Sequence, residues 1–154
     1  MNTTIGSSLR TNSATTQSAT TQMDYMKASL TTVWIYVMFN MVYADIFSFM
    51  YPGTLQQIMA GNADVTPITP EFLLIAAIVT EIPIAMVFLS RLLKYEANRW
   101  VNIIGGVITI LWVVGMGSPT LTYVFFAAIE VACALVIIGK AWLWKPAIEP
   151  ATGN

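Results

Sequence analysis

The stretch over residues 72–94, FLLIAAIVTEIPIAMVFLSRLLK, restricts the possible folds more than any other part of the chain. A helix that crosses the hydrocarbon core of a bilayer needs about 20 predominantly apolar residues. This run supplies them, with a carboxyl group, Glu81, and a proline, Pro83, near its middle. An acid at that depth sits where ionisation is most costly, which makes it a functional candidate by default. Pro83 cannot donate to the carbonyl of Val79 and is expected to kink the helix beside the acid.

Composition extends the membrane reading to the whole chain. Hydrophobic residues make up 56% of the 154 residues and charged residues 10%, with a mean hydropathy of +0.69. Soluble domains average about 25% charged residues, so a water-facing surface is hard to build here. No basic patch exists to neutralise phosphates, which argues against a nucleic-acid partner. The chain has no histidine, so His-ligated haem, His-containing metal sites and imidazole proton shuttles are ruled out. The single cysteine, Cys133, allows neither an intramolecular disulfide nor a CxxC pair. It falls within an apolar run and reads as a small packing residue. No lysine lies in the middle of a span, which removes a retinal-type pigment. No cofactor and no metal are expected.

Four apolar spans are predicted, over about 30–50, 72–94, 100–116 and 121–139. A polar tail over 1–26, rich in Ser, Thr, Asn and Gln, is expected to be disordered. The transmembrane domain then covers 27–145, and 146–154 form a short C-terminal tail. Tyr51-Pro52-Gly53 stops the first helix. In the long connection that follows, Thr54-Leu55-Gln56-Gln57 has the form of a capping box and Gly61 can end a short helix; a plain loop is the alternative. The second span opens on Thr69-Pro70-Glu71, a cap, a favoured first helical residue and an acid at the positive end of the helix dipole. In the third, Asn102, Gly105, Gly106, Thr109 and Val113 form a stripe of small and polar residues suited to a helix–helix contact.

Topology follows from charge. All seven basic residues, Arg10, Lys27, Arg91, Lys94, Arg99, Lys140 and Lys145, fall in the tails or in the turn between the second and third spans. The other two connections have none. The positive-inside rule then places both termini in the cytoplasm. The expected fold is an all-α, integral membrane, four-helix up-and-down bundle. Tyr95, Trp100, Trp142 and Trp144 fit an inner aromatic belt and Tyr51 an outer one.

Three of the eight acidic residues lie inside spans: Asp45, Glu81 and Glu130. At helical rise Glu81 and Glu130 lie about 15 Å deep and Asp45 about 9 Å from its helix end. In an up-and-down bundle the first helix neighbours both the second and the fourth. The three carboxyls are therefore expected to converge on one interior site, with Asn40, Tyr43 and Thr109 as hydrogen-bond partners. Ala77 and Ala85, one turn either side of Glu81, let a neighbouring helix approach closely. Arg91 lies about 15 Å along the axis from Glu81, too far for direct pairing. Desolvation and mutual repulsion disfavour three ionised groups, so either at least one carries a proton or something positive fills the gap. The plainer alternative is that the acids are neutral and hold helices together by hydrogen bonds.

The segments FNMVYADIFSFMYPG, EIPIAMVFLSRLLKYEANRWVNII and FFAAIEVACALVIIGKAWLW together resemble an uncharacterised family of small bacterial four-helix membrane proteins, distantly similar to the DoxX-like group. The resemblance covers about 27–144. It implies a four-helix bundle in a bacterial inner membrane and hands over no catalytic residue.

Three functional readings remain open at this level. The first is a membrane protein that binds a small cationic or lipophilic ligand, or handles protons, at Asp45, Glu81 and Glu130. The second is an accessory subunit of a larger membrane complex, or a homo-oligomer. The third is an enzyme that uses a buried carboxylic acid on an isoprenoid or sterol-like lipid; the balance leans away from it. Membrane lipid is the one partner common to all three.

Overall fold

The computed structural model describes residues 3–63, 66–117 and 120–145. Over these it is almost wholly helical, and four helices are long and apolar enough to cross a membrane. Helix α1 spans Thr3–Met50, α2 Thr54–Met59, α3 Pro70–Leu92, α4 Tyr95–Gly115 and α5 Leu121–Leu143. Two short strands, β1 (Asn62–Ala63) and β2 (Thr66–Pro67), pair antiparallel in the long connection, with Asn62 opposite Pro67 and Ala63 opposite Thr66.

The largest departure from the sequence reading lies at the start. The expected disordered segment over 1–26 is instead helical from Thr3 onward, continuous with the first apolar span. No proline and a single glycine, Gly6, fall between Thr3 and Met50, so nothing stops the helix. Once the apolar span has nucleated it, each added residue gains one hydrogen bond per residue fixed. The first two residues and the C-terminal tail from 146 lie outside the described residues.

Helix ends follow the local chemistry. The Thr69 hydroxyl accepts from the Phe72 amide at 3.2 Å, with Pro70 as first helical residue. Thr120 does the same for Tyr123 at 3.3 Å. The short α2 forms, but not by a capping box. Gly53 is its N-cap, at φ 91°, and Thr54 is its first helical residue. The reversal after Tyr51-Pro52 needs a left-handed residue, which glycine supplies without steric cost, and this shifts the start by one position.

The four long helices form a ring in which α1 packs on α3, α3 on α4, α4 on α5 and α5 on α1. Two residues join α3 to α4 and five join α4 to α5, so these neighbours run antiparallel. Leu30, Trp34 and Val37 of α1 meet Met86 of α3 and Ile137 of α5 at the centre. Glycine sets the closest approach. A Cβ on Gly106 would lie 2.8 Å from Ile138 Cγ1, whereas one on Gly105 would only touch Met86 and Trp34 at 3.4 and 3.5 Å. The α4–α5 seam therefore depends on Gly106.

Large apolar side chains such as Leu74, Ile78, Phe88, Leu111 and Phe125 point outward. That suits hydrocarbon and would be an aggregation hazard in water. The basic residues gather at one end. Lys27 Nζ donates to the Arg91 carbonyl at 3.4 Å, and the Arg99 guanidinium sits 5.4 Å from the centroid of the Trp142 ring. Trp144 departs from the expected belt: it is buried, with Tyr95 edge-on at 5.1 Å and the Tyr95 hydroxyl donating to its carbonyl at 2.5 Å. The chain turns after Leu143 and folds this ring under the bundle, whereas Trp142 stays exposed.

Candidate functional site

Glu130 is the acid that the fold draws inside. It lies nine residues into α5, about 13 Å along the axis, and only 4% of its surface is exposed. Its partner comes from α1, where Asn40 is also buried. Asn40 Nδ2 donates to Glu130 Oε1 at 2.9 Å and to the Phe126 carbonyl, one turn earlier on α5, at 3.0 Å. One amide thus bridges two helices. Ala127 and Ala134, on the same face of α5, leave room for α1 to come this close. Glu130 Oε2 has no hydrogen-bond partner among the described residues.

The remaining expected site residues separate into two groups. Asp45 points outward on α1, yet lies near enough to Glu130 for their charges to couple. Tyr123, which the sequence pattern does not single out, donates its hydroxyl to the Val113 carbonyl at 2.6 Å, tying α5 to α4. Asp45 belongs to the surroundings of Glu130. Tyr43 does not: half of its surface is exposed and it faces away from the bundle. Thr109 is buried, but its hydroxyl donates to the Gly105 carbonyl within its own helix at 2.9 Å. Glu81 departs furthest from expectation. It stands on the exposed face of α3, and it makes no hydrogen bond or ion pair among the described residues.

The expected convergence of three carboxyls is therefore corrected to one buried acid, Glu130, and two exposed ones, of which Asp45 lies near it and Glu81 does not. No group of three acidic or cysteine side chains among the described residues stands close enough to share a metal ion. The reason is rotational. α3 turns Pro83, Met86 and Ser90 into the bundle, and Glu81 then falls on the opposite side of the helix. Lipid is as apolar as the interior, so hydrophobicity does not choose between the faces of such a helix; shape and polar partners do.

Those partners form a second buried polar centre, nearer the basic end, that sequence reasoning did not assemble. Asn98, Asn102 and Ser90 are fully buried. Asn102 Oδ1 accepts from Trp34 Nε1 at 2.8 Å and from Ser90 Oγ at 3.3 Å. Asn102 Nδ2 donates to Asn98 Oδ1 at 2.6 Å and to the Asn98 carbonyl at 2.8 Å, and Asn98 Nδ2 donates to the Ser90 carbonyl at 2.7 Å. Three helices, α1, α3 and α4, meet at this knot. Its bonds largely satisfy one another, which marks it as structural; the centre at Glu130 is left with an unused oxygen. The sequence did carry a signal, since two asparagines four residues apart share one helix face.

Residues 21–149 match the profile of a family of unknown function, DUF6326. Neither the curated proteins nor the solved structures compared with the chain give a match.

Proposed function

We propose a role from the chain's own geometry, since the chain belongs to this family of unknown function: a small multi-pass membrane protein that takes up a positive charge, a proton or a small cation, at Glu130. The observation that carries the reading is the buried Glu130 carboxyl, served by one amide donor and by no cation among the described residues. A carboxylate without a counter-charge is expensive to keep out of water. Such a group either holds a proton or exchanges it for an arriving cation.

The orientation and location belong to the same reading. The gathering of Lys27, Arg91 and Arg99 at one end supports cytoplasmic termini by the positive-inside rule. A bacterial inner membrane and a distant DoxX-like kinship fit the four-helix ring and the resemblance of its segments.

Proton release tests the exchange. Protein in lipid nanodiscs and weak buffer is expected to release protons when sodium or a small amine is added, and Glu130→Gln to release none. Equal release from the variant would assign the exchange elsewhere, and no release from the wild type would leave Glu130 as a structural acid.

A further inference from the structure

We propose that the exposed face of α3 is a docking surface for a second copy of this chain, with Glu81 of each copy meeting the other at the centre. Glu81 lies eleven residues from Pro70 and eleven from Leu92, the middle of a 23-residue span, about 16 Å from either end. Among the described residues α3 packs chiefly against α1 and α4, so its outer side faces lipid in a single chain. A lone carboxyl there has no water and no partner among the described residues, a condition that hydrocarbon tolerates poorly.

The surroundings of Glu81 are shaped for a helix. Leu74, Ile78, Glu81 and Phe88 lie on one exposed strip, with Ala77 and Ala85 one turn either side of the acid. The spacing of 74, 78, 81, 85 and 88 is that of a left-handed helix pair. The small residues at 77 and 85 bring the two backbones close where the acids must touch.

Three arguments favour a second copy as the occupant. Copies inserted with the same orientation and related by a two-fold axis along the membrane normal place Glu81 opposite Glu81 at equal depth, with no further matching required. A neutral carboxyl is both donor and acceptor, so two of them satisfy each other through a pair of O–H···O bonds. Every Lys and Arg of the chain lies outside the middle of the spans, so the second copy brings no cation to the contact. The inference is independent of the role proposed for Glu130, on another helix.

The association of the full-length protein in lipid nanodiscs or vesicles, followed by single-molecule photobleaching across protein-to-lipid ratios, tests it. The wild type is expected to dimerise. Glu81→Leu should lose about tenfold or more in association, while Glu81→Gln, which keeps a donor and an acceptor, should stay within about threefold. Neither change touches the interior, and Glu130→Gln should dimerise normally. In a Cys133→Ala background, Ala77→Cys should cross-link between copies on oxidation and Val136→Cys, exposed on α5, should not. A wild type that stays monomeric in lipid, Glu81→Leu dimerising like the wild type, or cross-linking at 136 in place of 77 would each overturn the proposal. So would a preference for a synthetic apolar helix with one central lysine over a second copy.

Discussion

Replacing Asn102 by leucine is expected to lower the unfolding free energy of the bundle by about 2–3 kcal/mol, since each buried group left without its partner costs about 1–3 kcal/mol. The side chain takes part in four hydrogen bonds at once. Its removal strands the Trp34 indole N–H and the Ser90 hydroxyl in an interior that offers no other acceptor among the contacts described. Interhelical polar contacts in membranes average only about 0.6 kcal/mol, and the larger figure applies because several donors are orphaned together. Ser90→Ala gives up one 3.3 Å bond and should cost less than about 1 kcal/mol. Reversible unfolding in bicelles measures both. A loss for Asn102→Leu no greater than for Ser90→Ala would show that the knot does not hold the three helices together.

The second large effect concerns the bridge between α1 and α5. Asn40→Leu removes the amide that serves both Glu130 and the Phe126 carbonyl. The carboxyl then lies buried with no donor, at a cost of about 1–3 kcal/mol. Replacing both partners, Asn40→Leu with Glu130→Leu, should recover most of that loss, because taking away one member of a buried pair is worse than replacing both by apolar groups. Strictly additive losses in the double-mutant cycle would mean that the 2.9 Å contact carries no coupling.

What the sequence made legible, and what it did not, divides along physical lines. The four spans, the capping by Thr69 and the sorting of basic residues to one end could be read directly, since hydropathy, cap chemistry and charge act locally along the chain. The rotation of each helix about its axis could not. In α3 almost every position is apolar, so the periodicity that betrays a buried face in a water-soluble helix is missing. Ala77 and Ala85 were natural candidates for contacts inside the bundle, yet the inward face is set by Pro83, Met86 and Ser90. Ser90 faces inward because Asn102, on the neighbouring helix, accepts its hydroxyl. That partnership spans two helices and has no signature in either one alone.

The acids show the same division. The depths of Glu81 and Glu130 along their helices were calculable from residue counts, and both lie near mid-span. Whether each faces inward was not, and the two went opposite ways: Glu130 against Asn40, Glu81 onto the exposed outer face of α3. Nothing along α1 announces that the Trp34 indole N–H reaches Asn102, 68 residues away. Low hydropathy over the first turns of α1 gives no sign of a helix, whereas a helix already nucleated needs little from each residue that extends it.

The central claim, that Glu130 takes up and gives up a positive charge inside the bundle, is tested most directly by infrared difference spectroscopy of the carbonyl stretch in lipid. The wild type is predicted to show a protonated carboxyl band that fades on raising the pH or adding a small cation, and Glu130→Gln to lack that band with its fold intact. The same band in the variant, or a wild-type band that responds to neither pH nor cation, would contradict it.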